Sequence, residues 1–469
     1  MARTWGRREF LLASGACAGV TGLGSKAWGV RSSKGVFPNV VYLFSDEHRW
    51  QSMSQTEMSE LHTPHMAHMA QEGISLSQCI SNYPVCSPHR AILMTGRWPY
   101  HQRMLDRSPG MVDNNYLLSP EQDTLGKVFQ RAGYVTGYIG KWHLGGTRAE
   151  PFGFDESLIW THTNDHWNSV YHASSERSIQ TRGYNATLMT DQAIEFMKRH
   201  QKIPFFLMVS WNPPHAKFED APDSKKALYP EGSLPMRPNV PLSSDTTIVD
   251  SPIAWGKNPR ASFQGYHAHI SAIDDELGRV LGALDDLGLA EDTILIYTSD
   301  HGSMMGSHGL ASKRQPYEES IRVPFLARWP GKIPQGEVSN DLVGSIDLMP
   351  SLAGLAGVPV PDVCEGRDLS SVLLAQPGPR MESQYIMHIS KKNASGGENH
   401  PASLFRGVTT GRYTYAQCLD RPWCLFDNQE DPFQLKNRIQ DAGKSVERDR
   451  LHGMLKEWIG RAGDPFGIM

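Results

Sequence analysis

Three stretches of the chain are apolar without alternation: Asn39-Val40-Val41-Tyr42-Leu43-Phe44, Phe205-Phe206-Leu207-Met208-Val209 and Thr293-Ile294-Leu295-Ile296-Tyr297-Thr298. Runs of this kind suit strands covered on both faces in a mainly parallel sheet. Each breaks abruptly into polar residues: Ser45-Asp46-Glu47, Ser210-Trp211-Asn212-Pro213-Pro214-His215 and Ser299-Asp300-His301-Gly302. Between the runs, apolar residues recur every three to four positions. The clearest case covers positions 266–287, with Ile270, Ile273, Leu277, Val280, Leu281 and Leu284 on one face. Shorter helices are predicted over 64–71, 124–131 and 188–198. Strands alternating with helices predict an α/β fold, whose ligands bind beyond the carboxyl ends of the strands. That placement gathers Asp46, Glu47, Asp300, His301 and His215 along one edge.

The pattern changes near Gln376-Pro377-Gly378-Pro379, where turn-forming residues cluster. Short runs follow at 384–389, 404–409, 413–416 and 423–426, predicting a small antiparallel sheet closed by a helix over 445–459. A chain of 469 residues exceeds what one core usually organises, which fits a large unit over 36–375 and a smaller one over 380–469. Positions 213–252 are Pro- and Ser-rich with little periodicity and are expected to form a long loop over the active face. Trp160-Thr161-His162-Thr163-Asn164-Asp165-His166-Trp167-Asn168, with Tyr171-His172, is dense in aromatic and hydrogen-bonding groups. It suits contact with a sugar ring, and equally a polar surface loop. Lys391, Lys392, Asn393 and His400 fall on a further loop within reach of a substrate.

The formal net charge of -4 excludes a general nucleic-acid binder, which carries a basic excess. It is compatible with an anionic small substrate met by a few local cations. Positions 1–29 read as a targeting segment. Arg7-Arg8-Glu9-Phe10-Leu11 resembles a twin-arginine export signal, and Ser25-Lys26-Ala27 offers a cleavage site. The apolar run there is too short and Gly-rich to span a membrane, so the expectation is a bacterial periplasmic or secreted protein with no stable membrane span. The six cysteines match no zinc spacing and no dense disulfide framework. Cys418 and Cys424 are placed either to pair across a hairpin or to remain thiols.

Cys86 opens the stretch Cys86-Ser87-Pro88-His89-Arg90-Ala91-Ile92-Leu93-Met94-Thr95-Gly96-Arg97. Pro88 suits the first turn of a helix, and Ala91, Ile92 and Leu93 suit a buried face. Cys86 is then at a helix N-terminus, where free N–H groups and the dipole favour a developing anion. Arg90, one turn on, points back to the same end. Asp46 with Glu47 and Asp300 with His301 form a candidate cation site. Carboxylates suit calcium or magnesium, and the imidazole tilts the balance toward manganese or zinc.

The C-x-P-x-R then Thr-Gly pattern resembles the signature of the sulfatase family, and further matches follow in order. Gly133-Tyr134-Val135-Thr136-Gly137-Tyr138-Ile139-Gly140-Lys141-Trp142-His143 looks like one family element. Asp300-His301-Gly302 with Gly306, His308, Gly309 and Lys313 is similar to another, followed by Glu318, Arg322, Val323 and Pro324. Asp347-Leu348-Met349-Pro350 and the stretch from Leu425-Phe426-Asp427 to Asp431-Pro432 resemble later landmarks. The resemblance implies an alkaline-phosphatase-like α/β fold, a mainly parallel sheet flanked by helices with a smaller C-terminal antiparallel α+β subdomain. It implies a catalytic domain over 36–375.

It further implies that a formylglycine-generating maturation enzyme converts Cys86 to formylglycine, whose hydrated aldehyde attacks sulfur and also binds the metal. Asp46, Glu47, Asp300 and His301 hold one divalent cation, with calcium first and manganese among the alternatives. Arg90 organises the nucleophile, and Lys141 and Lys313 clamp sulfate oxygens. His215 protonates the departing alcohol, and His143 takes the proton that lets the intermediate collapse. The usual family pairs are Asp-Asp and Asp-Asn, where this chain has Asp46-Glu47 and Asp300-His301. The expected function is hydrolysis of a sulfate ester, on a sulfated carbohydrate. The alternatives are a phosphodiester or phosphonate monoester hydrolase on the same scaffold, a non-catalytic binder of sulfated glycans, and a thiol hydrolase using Cys86.

Overall fold

The computed structural model describes residues 37–102, 117–160, 164–174, 177–241, 259–389, 404–419 and 421–467. The targeting segment, positions 242–252 of the long loop, and Lys391, Lys392, Asn393 and His400 lie outside them. In chain order the principal elements begin with β1 (Asn39–Asp46), α1 (Pro64–Gln71), β2 (Ile74–Ile80), α2 (Cys86–Thr95) and α3 (Leu125–Arg131). Next come β3 (Val135–Lys141), β4 (Glu156–Trp160), β5 (Val170–Ala173), β6 (Ser178–Gln180) and α4 (Asn185–His200). Then come β7 (Phe205–Pro214), α5 (Pro259–Asp286), β8 (Thr293–Ser299), β9 (Arg322–Val323), β10 (Phe325–Arg328), β11 (Glu337–Gly344) and α6 (Ser345–Ala356). The C-terminal part holds β12 (Gln384–His388), β13 (Phe405–Thr409), β14 (Tyr413–Cys418), β15 (Pro422–Asp427) and α7 (Ser445–Arg461).

The large sheet runs β11-β2-β10-β8-β1-β7-β3-β4-β5-β6, with β9 paired to β2. Its centre is parallel: β1 pairs with β7 and β8, and β3 with β7 and β4. The unbroken apolar runs have a simple cause. Successive side chains point to opposite faces, and both faces are covered. Val40, Tyr42 and Phe44 join a core with α2, α3, α6 and the small sheet. Val41 and Leu43 join a second core with α1, α4 and α5. Each fully buried aliphatic side chain here contributes ~1.5–3 kcal/mol. The six apolar residues expected to face inward from α5 are all at most 6% exposed.

The strands extend beyond their apolar runs. β7 continues through Ser210 to Pro214 with every residue buried. Phe44 pairs with Ser210 but Asp46 with Pro214, so β7 carries extra residues past β1 and delivers His215 beyond the sheet edge. α4 reaches Asn185 and His200, with Lys198, Arg199 and His200 at its negative end. The antiparallel β12-β13-β14-β15 sheet and α7 match the small C-terminal unit expected. In it Cys424 stands opposite Ala416 rather than Cys418. Among the described residues no helix is long and apolar enough to cross a membrane.

Candidate active site

The carboxyl ends of β1, β3, β7 and β8 lie side by side, and the expected groups come from them. Asp46 ends β1 and Glu47 follows with a φ of 76°. Lys141 ends β3, and His143 follows with a φ of 54°. His215 follows β7, and Asp300-His301 follow β8. Opposite them stands α2, with Cys86 as its first residue and Gly96 ending it at a φ of 61°. Every residue of α2 is buried. Lys313 arrives on the loop beyond β8.

These side chains converge. Cys86 Sγ is 3.2 Å from His301 Nε2, 3.4 Å from Lys313 Nζ and 3.6 Å from Asp46 Oδ1. Arg90 spans four strand ends: Nη2 donates to Asp46 Oδ2 (3.2 Å) and Asp300 Oδ2 (3.0 Å), and Nη1 donates to Lys141 O and Ser210 Oγ (2.7 Å each). Lys141 Nζ is 2.5 Å from Asp46 Oδ2. Glu47 faces another way. Its Oε2 is 3.1 Å from Lys313 Nζ and 3.4 Å from His215 Nε2, while Oε1 accepts from Ser303 Oγ at 3.0 Å. The extra methylene thus turns Glu47 toward the lysine and the histidine, and only its backbone N–H touches Asp300 (3.1 Å).

The charges reinforce one another. Burial would raise the Cys86 thiol, but Lys313, Lys141 and His301 together hold it well below its ordinary range. Burial would neutralise Lys313, yet Cys86 and Glu47 hold it charged. Burial and the carboxylate of Asp46 push Asp300 up. Asp46 is held down against its own burial by Lys141, His215 and Lys313. Burial lowers His143, and an interaction with Cys86 partly offsets this.

The donor set fits a divalent cation. Asp46, Cys86, Asp300 and His301 offer ligand atoms all within 4.8 Å of one another, and Asp46, Glu47 and His215 form an overlapping set. His301 Nδ1 donates to Gly302 O at 2.9 Å, so on losing its Nε2 proton the ring would turn a lone pair toward Cys86 and both aspartates. A backbone carbonyl that fixes the tautomer in this way is the usual arrangement for a metal-binding imidazole.

Several site groups were not singled out from the sequence. Ser210 and Ser303 orient Arg90 and Glu47, and Tyr138 donates to Lys141 O at 2.6 Å. Position just after a buried strand was the only available signal for Ser210. His308 stacks on Tyr317 with centroids 4.1 Å apart and meets Asn239 at 3.1 Å, so it shapes its loop. The His166–Trp167 stretch divides. His166 is fully buried, while Trp167 stays 39% exposed beside it.

Residues 38–358 match the family model described as sulfatase, and residues 306–460 match the C-terminal model of N-sulphoglucosamine sulphohydrolase. The chain belongs to the sulfatase family. It is 32% identical over 442 residues to the ulvan-active sulfatase of Formosa agariphila, covering 92% of this chain and 82% of that protein. An endo-4-O-sulfatase of Bacteroides thetaiotaomicron is 29% identical over 489 residues, 90% of this chain and 92% of that one. A solved structure from work on glycosaminoglycan metabolism by the same organism superposes with a TM-score of 0.79 at 27% identity, covering 92% and 97%. The fold is alkaline-phosphatase-like, and the chain is a sulfuric ester hydrolase.

Proposed function

We propose that the enzyme removes sulfate from a sulfated carbohydrate, using formylglycine made from Cys86 and one divalent cation. The observation that carries this reading is the buried Cys86 sulfur, at a helix N-terminus and within reach of both Lys313 and His301. Asp46, Asp300, His301 and position 86 would hold the cation, calcium first, with Glu47 alongside. When bound, the cation withdraws charge from sulfate oxygens and favours an ionised hydroxyl at position 86. The hydrated aldehyde supplies that hydroxyl.

The chain's own groups supply the rest. Lys141 and Lys313 neutralise sulfate oxygens as charge develops, in a buried setting where such contacts are strong. Arg90 holds Asp46, Asp300 and the Lys141 carbonyl in register. His215 would give a proton to the departing sugar oxygen from Nε2 of its doubly protonated ring, with Nδ1–H donating to Ala216 O at 2.7 Å and Nε2 facing Glu47 at 3.4 Å. His143, turned to position 86, takes the proton released there. Support for a carbohydrate comes from the ulvan-active and endo-4-O-sulfatase relatives, and from Trp167, 39% exposed next to His166, whose ring bonds the His215 carbonyl. The leader sequence supports periplasmic or secreted delivery by twin-arginine export.

The test uses protein made in a host with a formylglycine-generating system. The peptide containing Cys86 should have the mass of the aldehyde, and sulfate should be released from a panel of sulfated sugars until a chelator is added. An intact thiol, or release favouring phosphonate monoesters over sulfates, would refute the reading.

A further inference from the structure

The segment from His215 to Lys217 presents three successive carbonyls, and each accepts a hydrogen bond from an imidazole. His166 Nε2 donates to His215 O at 2.8 Å. The ring of His215 donates from Nδ1 to Ala216 O at 2.7 Å. His269 Nε2 donates to Lys217 O at 3.2 Å. His166 and His269 pack against each other with centroids 4.2 Å apart, and both are fully buried.

The second nitrogen of each outer ring is occupied as well. His166 Nδ1 meets the Asn212 amide at 3.2 Å, and His269 Nδ1 meets the Tyr184 hydroxyl at 2.7 Å. A carbonyl on Nε2 and a donor on Nδ1 require one tautomer in each ring, so neither ring can turn over without losing two bonds. Burial lowers both histidines, His269 to about 3, which keeps each with a single proton. The pair is anchored at both ends of its span: the Asn185 N–H donates to His166 O at 2.8 Å, and His269 belongs to α5. Outside it, Lys217 pairs with Asp165 at 2.7 Å, and the Trp167 indole donates to Asp220 O at 2.7 Å.

Space-filling alone needs none of this. An apolar ring would fill the volume, whereas these bonds fix the direction of the peptide planes on either side of His215. That direction sets where the His215 ring, tied to the next carbonyl, sends its Nε2. We propose that His166 and His269 are positioning residues that lock the His215 segment and so aim its imidazole at the leaving-group oxygen. The inference rests on His215 being the leaving-group acid. In that step the Nε2 proton of the doubly protonated His215 ring passes to the alcohol oxygen as its bond to sulfur breaks, the electron pair of that bond stays on oxygen, and the ring is left neutral with its Nδ1–H on Ala216 O.

The test compares His166→Phe, which keeps the ring and removes both bonds, with His166→Gln, whose amide N–H can still reach the carbonyl. Both are assayed on a sugar sulfate and on aryl sulfates of falling leaving-group pKa, with His215→Ala as reference. A poor leaving group needs the proton and a good one does not. His166→Phe should therefore lose ~100-fold in kcat on the sugar sulfate, the low end of what general acid catalysis supplies. It should lose only about 3-fold on 4-nitrophenyl sulfate, and His166→Gln should recover most of the loss. If His166→Phe does not fold, His269→Phe takes its place, with His269→Gln as the variant that should recover the loss. Equal losses on all substrates, or none, would overturn the inference provided that His215→Ala discriminates. A His215→Ala profile flat across leaving groups would remove the acid assignment itself, and the inference with it.

Discussion

Replacing Arg90 with glutamine isolates the charge balance of the site from its chemistry. Arg90 is 1% exposed and is the donor shared by Asp46 and Asp300, both fully buried. Glutamine fills part of the volume and leaves two carboxylates facing each other without the guanidinium. Removing one partner of a buried ion pair costs ~3–5 kcal/mol where the remaining charge is uncompensated. Asp46 keeps Lys141 at 2.5 Å and Asp300 keeps His301 at 3.5 Å, which puts this loss at the low end, ~3 kcal/mol. Unfolding releases ~2.1 cal/mol/K per residue, so a chain of 469 residues carries ~1 kcal/mol/K. The melting temperature should therefore fall by ~3 °C in chelator. Both proteins are made in a host without a maturation system, so that position 86 is cysteine in each. A cation held by Asp46 and Asp300 supplies the missing positive charge and binds only the folded state, so saturating calcium should narrow the gap. A fall under about 1 °C in chelator, or the same fall with and without calcium, would show that Arg90 is not the counter-charge of a cation site.

Two further outcomes follow from the same geometry. Lys313→Met removes the ammonium shared by Glu47 and Cys86, and should lower kcat on a sulfated sugar by ~100–1,000-fold, as losing one charge-stabilising donor does. A loss under tenfold, in protein whose position 86 has the same mass as wild type, would remove Lys313 from the sulfate clamp. His48 is buried and lowered to about 4 from an unfolded value of 6.5, so the folded state binds fewer protons than the unfolded one. Its contribution is complete above pH 6.5 and is lost as pH falls toward 4, at ~1.4 kcal/mol per unit, or ~3 kcal/mol. His269, lowered to about 3, adds in the same direction. Urea unfolding between pH 7 and 4 should show the decline, and His48→Gln should flatten it; an unchanged slope would contradict a neutral buried His48.

The centre of the fold was legible because β1, β7 and β8 are covered on both faces, so their apolar runs are unbroken and their polar ends stand out. β2, β9, β10 and β11 were not. Arg322–Val323 and Phe325–Arg328 are too short to show a period, and β11 reads polar because it lies at the sheet edge with Val338 60% exposed. At the site, strand ends and motif spacing singled out Cys86, Arg90, Lys141, Lys313 and the acids, which the fold brings within contact of one another. Spacing could not say which way the Glu47 carboxylate turns, since Lys313 and Ser303 lie more than two hundred residues away. Composition likewise could not separate His166 from Trp167. One ring is sealed against His269 and the other is open to solvent, and the difference is decided by α5.

The helix that begins at Cys86 is covered along its whole length, and the side chain at its start lies beneath Lys313 and His301. The oxidation proposed for Cys86 would require an enzyme to reach this backbone, which in the folded molecule is helical and buried. On the proposed function, oxidation of Cys86 would therefore belong to the interval before the chain closes. Time becomes a variable of activity. A sequence change far from the site that hastens closure of the core around β1 would shorten that interval, and would yield stable, correctly folded molecules left inert with a cysteine at position 86.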